Sequence, residues 1–152
     1  MHHKPTVAKA LAYITNDAGE LLVIRHVDYP YEQVGLEVPG GTIRPDEDPA
    51  AAALREAQEE TSLPNLSLAA SLGETTYDIT PLRPEIQHRH FFHLRTPGPH
   101  PPRWPSTELH DGLQPPTHLE CLWLPLNHAH ALSLGHGALI HQLCLVPQNP
   151  SQ

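Results

Sequence analysis

Lysine is nearly missing from this chain: only Lys4 and Lys9 occur in 152 residues, and acidic side chains outnumber Lys and Arg to leave a formal net charge of −8. Affinity for long nucleic acid comes largely from phosphate neutralisation by basic side chains, so that class of partner is disfavoured. Cysteine is equally scarce. Cys121 and Cys144 form neither a C-x-x-C pair nor a disulfide framework, and each sits in an apolar segment, as buried free thiols do. No run approaches the roughly 18 apolar residues of a membrane span, and Met1-His2-His3-Lys4-Pro5 is followed by no sustained apolar region of a signal peptide. A cytoplasmic protein is the expectation. No internal repeat is found, and 39% hydrophobic composition over 152 residues suits one domain with a single core, covering residues 1–152 with the core at about 7–146.

What is abundant is proline and histidine. The 18 prolines are uneven, and the cluster from Pro97 to Pro116 is too irregular for a polyproline ligand, so it reads as one long loop. Thirteen histidines raise the question of zinc, above all His88, His90 and His93. Only the first two share a strand face, and no carboxylate or cysteine spacing in the sequence completes a tetrahedral site. Tyr29, Tyr31 and Tyr77 offer aromatic faces for a nucleotide base, with core or rim packing as the competing role.

Periodicity and turn residues divide the chain. Val7 to Thr15 and Glu20 to His26 read as a hairpin about Asn16-Asp17-Ala18-Gly19, and Leu36-Glu37-Val38 as a short strand feeding Pro39-Gly40-Gly41, whose glycines let backbone approach a ligand. Leu66 to Ile79, Glu85 to Arg95 and Leu119 to Leu126 give further strands. A second helix is expected over Leu132 to Val146, interrupted at Gly135-His136-Gly137, which leaves its start open, and stopped by Pro147.

The chemistry concentrates between these strands. Asp48 can cap a helix that starts at Pro49, where a missing N–H does no harm, and runs to about Thr61. Glu56, Glu59 and Glu60 then fall at i, i+3 and i+4 and share an arc of roughly 100°. Like charges at that spacing repel by a few tenths of a kcal/mol per pair, and a divalent cation reverses the sign. Ala50, Ala53, Leu54 and Ala57 give the opposite face a narrow apolar stripe that can pack on a sheet, Arg55 can pair with Glu59 one turn on, and Ala52 leaves open space before Glu56. Hard carboxylate oxygens suit Mg²⁺ or Mn²⁺, which keep waters and are completed by substrate phosphates.

Gly41, Glu47, Arg55, Glu56, Glu59, Glu60 and Leu63 resemble the Nudix box, Gly-x5-Glu-x7-Arg-Glu-U-x-Glu-Glu-x-Gly-U with U a bulky aliphatic. Six fixed identities at fixed spacing arise by chance on the order of once in 10⁷ starts. Two positions depart from the pattern: Ala57 replaces the larger aliphatic, and Ser62 stands where the family has glycine, which would close the helix in the left-handed region. The order of elements also resembles the Nudix fold, an α/β (α+β) sandwich with a mixed sheet between helices.

The resemblance implies a divalent-metal-dependent pyrophosphohydrolase that cleaves a phosphoanhydride in a small nucleoside diphosphate-X substrate: a nucleoside triphosphate, an oxidised nucleotide or a nucleotide sugar. It implies Glu56, Glu59, Glu60 and the Gly41 carbonyl as ligands of Mg²⁺ or Mn²⁺, Arg55 as their orienting group and Glu47 as a tie between loop and helix. Glu108 or Asp111 would be the general base, with one of the box glutamates as the alternative. Arg25, Arg44, Tyr31 and Gly40 are substrate-binding candidates, and Glu85 and Glu120 fall near strand ends. The partner is then a small nucleotide, with neither long nucleic acid nor membrane, and the chain a monomer or homodimer. The rival is a nucleotide-sensing Nudix-like domain without turnover.

Overall fold

The computed structural model describes residues 3–28 and 35–143. Among the described residues eight strands form one mixed sheet: β1 Thr6–Thr15, β2 Leu21–His26, β3 Leu36–Glu37, β4 Gly40–Thr42, β5 Ser67–Asp78, β6 Ile86–Arg95, β7 Arg103–Glu108 and β8 Thr117–Leu124, with the helix α1, Pro49–Thr61, between β4 and β5. The principal order is β5-β6-β1-β2-β8-β7, with β3 on β2 and β4 on β1. This α+β architecture, a mixed sheet with one main helix among the described residues, is of the class expected from the sequence.

The topology opens a gap where it matters. β1 runs parallel to β6 along its whole length, from Thr6 beside Ile86 to Thr15 beside Arg95. Its pairing to β2 is confined to Thr15 and Leu21, next to the hairpin turn. From there the two strands part, and β4 occupies the freed edge of β1 (Ala10 to Gly41, Leu11 to Gly40) while β3 pairs with β2 (Ile24 to Glu37). A cleft forms between the separated strands.

Each sheet face has its own core, as strand alternation requires. On one side Ala52, Ala53 and Ala57 of α1 pack on Ala10, Ala12, Ile14, Leu22, Ile24, Phe92 and Leu94. Ala52 is thus buried rather than beside open space. On the other side Leu11, Tyr13, Leu21, Val23 and Phe91 are covered by Leu126, Leu132, Leu139, Ile140 and Leu143. The covering segment is not the expected helix: among the described residues, 132–143 contain a single bridge from Leu132 to Leu36, turns and a short 3-10 segment at Ile140–Gln142, following another at Leu126–Ala131. Leu134 and Gly135 both adopt left-handed backbone (φ 56° and 74°), which an α-helix cannot accommodate. The Ser133 N–H donates instead to Leu36 O across the chain at 2.8 Å. Residues 144–146 of that expected helix, with Cys144, and its Pro147 stop lie outside the described residues, as do Tyr29 and Tyr31.

The proline-rich segment also differs from the expected loop, because β7 runs through it and pairs with β8 from Arg103–Leu122 to Glu108–Thr117. β7 ends the strand order, and Pro105 is tolerated there because an edge strand has an unpaired side for its missing donor. Cys121 is a buried free thiol as expected, and its pKa is pushed up to about 12 by burial.

Candidate active site

The helix begins and ends as its local residues dictate. Asp48 Oδ2 accepts from the Ala51 N–H at 3.1 Å, Pro49 takes the first position, and Ser62 closes the helix at φ 58° with its N–H donating to Gln58 O. These caps fix which face meets the sheet and therefore where the glutamates point.

Arg55 organises the acidic face. Its guanidinium forks onto Glu47 (2.8 and 2.9 Å), reaches Glu56 Oε1 at 2.7 Å and Thr42 O at 3.2 Å, and lies 3.6 Å from Glu59. Glu47 Oε1 also accepts from the Arg44 N–H at 3.0 Å, so the loop before the helix is clamped to it. Arg55 holds the Glu47 carboxyl down at about 2.

The three glutamates have different surroundings. Glu60 is buried and accepts the Gly40 N–H at 2.8 Å, while burial, then the charges of Glu108 and Glu56, push its pKa well up. Glu56 is nearly enclosed, and burial raises its pKa against the opposing effect of Arg55. Glu59 is half exposed. Gly41 lies directly against Glu56, and a Cβ there would collide with the carboxylate; a Cβ at Gly40 would press on Ala10 O. That closeness explains both glycines.

Glu108 joins the cluster through β7. Alternation places Trp104, Ser106 and Glu108 on one face of the strand, and the first two bind the open carbonyls at the C-terminal end of α1: Trp104 Nε1–H donates to Thr61 O at 2.9 Å and Ser106 Oγ–H to Glu60 O. Glu108 is thereby carried to the same cleft as Glu56 and Glu60. The cleft holds about 750 Å³.

Other expected site residues scatter. Arg44 lines the cleft and pairs with Asp111 at 3.2 Å, which ties Asp111 up as a counter-ion. Arg25 does not line the cleft and turns to Glu120 at 3.1 Å, its cross-strand partner. Glu85 accepts from Gln87 at 2.9 Å and faces Arg83. The Tyr77 ring is already engaged, 4.4 Å from the Arg89 guanidinium and tight against Gly135.

Sequence reasoning missed the rest of the cleft. Lys9, Glu37, Gln87, Arg89 and His136 line it. Arg89 is almost wholly buried, donating to Gln87 Oε1 (3.0 Å) and Leu134 O (2.6 Å). His136 Nδ1 accepts the Val38 N–H at 3.0 Å, and its pKa is lowered to about 4, first by burial. Glu37 bonds His26 at 3.1 Å. The available signal was the alternation of Gln87 and Arg89 with His88 and His90, which puts two long polar side chains on the opposite face from the histidines.

The donor set fits a hard divalent cation. Glu56 and Glu60 are deeply placed carboxylates whose like-charge neighbours include Glu108, an arrangement that costs free energy and that a cation would relieve. The Gly41 backbone lies close enough to Glu56 to supply a further oxygen.

The NUDIX domain profile matches residues 5–143, and the chain belongs to the Nudix family. It is a hydrolase of phosphorus-containing anhydrides; enzymes of this family generally use divalent metals and act on small nucleotides. Solved structures of similar fold include the MutT protein of Methanosarcina mazei Go1 (TM-score 0.68, 19% identity, 93% of this chain and 95% of that one). The Ap4A hydrolase of C. elegans is also similar (0.66, 21%, 90% and 93%). So is the E. coli dihydroneopterin triphosphate pyrophosphohydrolase (0.68, 19%, 92% and 97%). No curated protein matches the chain in sequence.

Proposed function

We propose that this Nudix hydrolase is a Mg²⁺- or Mn²⁺-dependent pyrophosphohydrolase of small nucleoside diphosphate-X compounds, with nucleoside triphosphates, oxidised nucleotides and nucleotide sugars as the substrate classes. The observation that carries the reading is the juxtaposition of Glu56, Glu60 and Glu108 under Gly40–Gly41, opening on a cleft that also presents Lys9, Arg44, Arg83 and Arg89. Oxygens for a cation and cations for phosphate thus share one space.

Glu56, Glu59, Glu60 and the Gly41 carbonyl would hold the ion. When bound, it neutralises phosphate oxygens and lowers the pKa of water for attack on phosphorus. Arg55 keeps Glu56 aimed and lies near the half-exposed Glu59, and the Gly40 N–H fixes Glu60. Glu108 is the better placed general base, since Asp111 is engaged by Arg44 and more exposed. Lys9 and Arg44 are suited to the phosphates, and Gln87, Arg89 and Glu37, deeper in the cleft, to the polar edge of the group beyond.

Retention of every charged box residue favours turnover over a sensing domain. Among the described residues no helix is long and apolar enough to cross a membrane. The same reading makes the chain a cytoplasmic monomer or homodimer. The test is release of phosphate and pyrophosphate, with Mg²⁺ and with Mn²⁺, from nucleoside triphosphates, oxidised nucleotides, ADP-ribose, nucleotide sugars and dinucleoside polyphosphates. Glu59→Gln should abolish turnover and weaken Mg²⁺ binding; an equally active variant removes the mechanism. Folded, Mg²⁺-binding protein that turns over none of these but binds one of them would be a sensor.

A further inference from the structure

On the sheet face opposite Gln87 and Arg89, away from the cleft, β5 and β6 assemble a second group of donors. His88 and His90 are i and i+2 on β6, so both project to one side, with rings parallel (5° between planes) and 4.9 Å apart. Glu74 of β5 faces His90 in register, and its Oε1 lies 2.5 Å from His88 Nε2 and 3.9 Å from His90 Nδ1. One ligand atom from each of the three side chains falls within 4.8 Å of the other two. The carboxylate that the sequence did not reveal is supplied across the ladder.

The strand pairing brings it there. From Asp78 opposite Ile86 to Glu74 opposite His90 the β5–β6 register is unbroken, which places Glu74 on the face of the two histidines, and it shifts by one residue only beyond, between Gly73, opposite Phe91, and Ser71, opposite Phe92. Gly73 has φ 125°, and on β1 the residues beside His88 and His90 are the small Ala8 and Ala10.

We propose that Glu74, His88 and His90 form a binding site for a Zn²⁺-class transition-metal ion, separate from the hard-oxygen site of the cleft. Two imidazoles and a carboxylate are the donor set of three-ligand zinc sites, with Zn–N about 2.0–2.1 Å and a fourth position for water. Mg²⁺ disfavours imidazole, so the two sites sort ions by chemistry. The side chains retain about half, two-fifths and a quarter of their exposure (55%, 42% and 23%), so they can close the remaining distance by small rotations without disturbing the core. The ion would clamp β5 to β6.

The test is calorimetric titration of the full chain with Zn²⁺ in excess Mg²⁺, accompanied by NMR of the histidine side chains. The expected result is one Zn²⁺ equivalent that shifts the His88 and His90 imidazole signals. That equivalent persists in Glu56→Gln and is weakened at least about tenfold in His88→Ala/His90→Ala. Glu74→Gln, a milder change at an exposed position, should weaken it with the fold intact by circular dichroism. Unaltered Zn²⁺ affinity in the double variant and in Glu74→Gln, or loss of the equivalent in Glu56→Gln, would overturn the assignment.

Discussion

Tyr13→Phe removes one oxygen from the centre of the molecule and tests how the cleft wall is held. Tyr13 is fully buried on β1, its ring packed 5.4 Å from Phe91. Its hydroxyl donates to His136 O at 2.6 Å and accepts from the Leu139 N–H at 3.1 Å. Burial pushes its pKa up to about 12, so the group stays a neutral donor and acceptor at any physiological pH. Phenylalanine preserves the ring packing and leaves no cavity, so the loss is confined to the two hydrogen bonds. At roughly 0.5–1.5 kcal/mol each, with both backbone partners only partly shielded, the expected destabilisation is about 2 kcal/mol. For a domain of this size that lowers Tm by about 4–8 °C. The same segment delivers Leu134 O to Arg89 and His136 to the Val38 N–H, so the substrate KM should rise more than kcat falls. Thermal unfolding, hydrogen exchange of residues 134–140 and steady-state kinetics are the assays. A Tm within about 1 °C of the parent with unchanged exchange would refute the claim that this phenol anchors the wall.

Glu60→Gln should separate stability from function: it removes a buried charge opposed by Glu108 and Glu56 while a carbonyl oxygen can still accept the Gly40 N–H. Metal-free protein should gain about 1–2 kcal/mol in denaturant titrations while turnover is lost; a metal-free variant less stable than its parent contradicts the charge argument. Ser62→Gly relieves a left-handed non-glycine residue (φ 58°) and, after the added backbone entropy of glycine, should stabilise by about 0.5–1 kcal/mol, read as a rise in denaturation midpoint without change in activity. His136 sets an acid limit. Its pKa falls from 6.5 to about 4 on folding, so the unfolded chain takes up the proton first. Stability is full above about pH 6.5, declines as pH falls, and levels below about pH 4, by up to about 3 kcal/mol. Denaturant titrations across that window should show a shallower slope for His136→Gln; an identical slope would assign the acid loss elsewhere.

The helix was legible because its determinants are local. Asp48, Pro49 and the glutamate spacing act within one segment, and the structure follows them to the terminal residue. The pairing of Glu47 with Arg55 could also be anticipated from the motif. The floor of the cleft could not, because Gln87 and Arg89 reach it through the parallel pairing of β1 with β6, strands far apart in sequence. Glu74 is hidden for a related reason: it meets His88 and His90 through the cross-strand pairing of β5 with β6, which residue spacing within one segment does not record. The second helix was misread because Leu132, Leu139, Ile140 and Leu143 recur at helical spacing, yet short turns can bury the same residues against Leu11 and Tyr13. The interruption at Gly135-His136-Gly137 is the contrary signal within that segment, and Leu134 and Gly135 are where the backbone turns left-handed.

Helical spacing puts Glu56, Glu59 and Glu60 on one face, but their neighbours make them unequal. Glu60 is locked to the Gly40 N–H and Glu56 to Arg55 and the bare Cα of Gly41, so neither can retreat from its like-charged neighbours by changing rotamer. Glu59, half exposed and only 3.6 Å from the edge of the Arg55 fork, can. As the proposed ligands of a divalent cation, two fixed oxygen donors and one adjustable donor would supply a preorganised site that three mobile carboxylates, free to relax apart, would not. In the proposed function the box glycines and Arg55 would therefore act together, holding repelling charges in place for a cation and a phosphate.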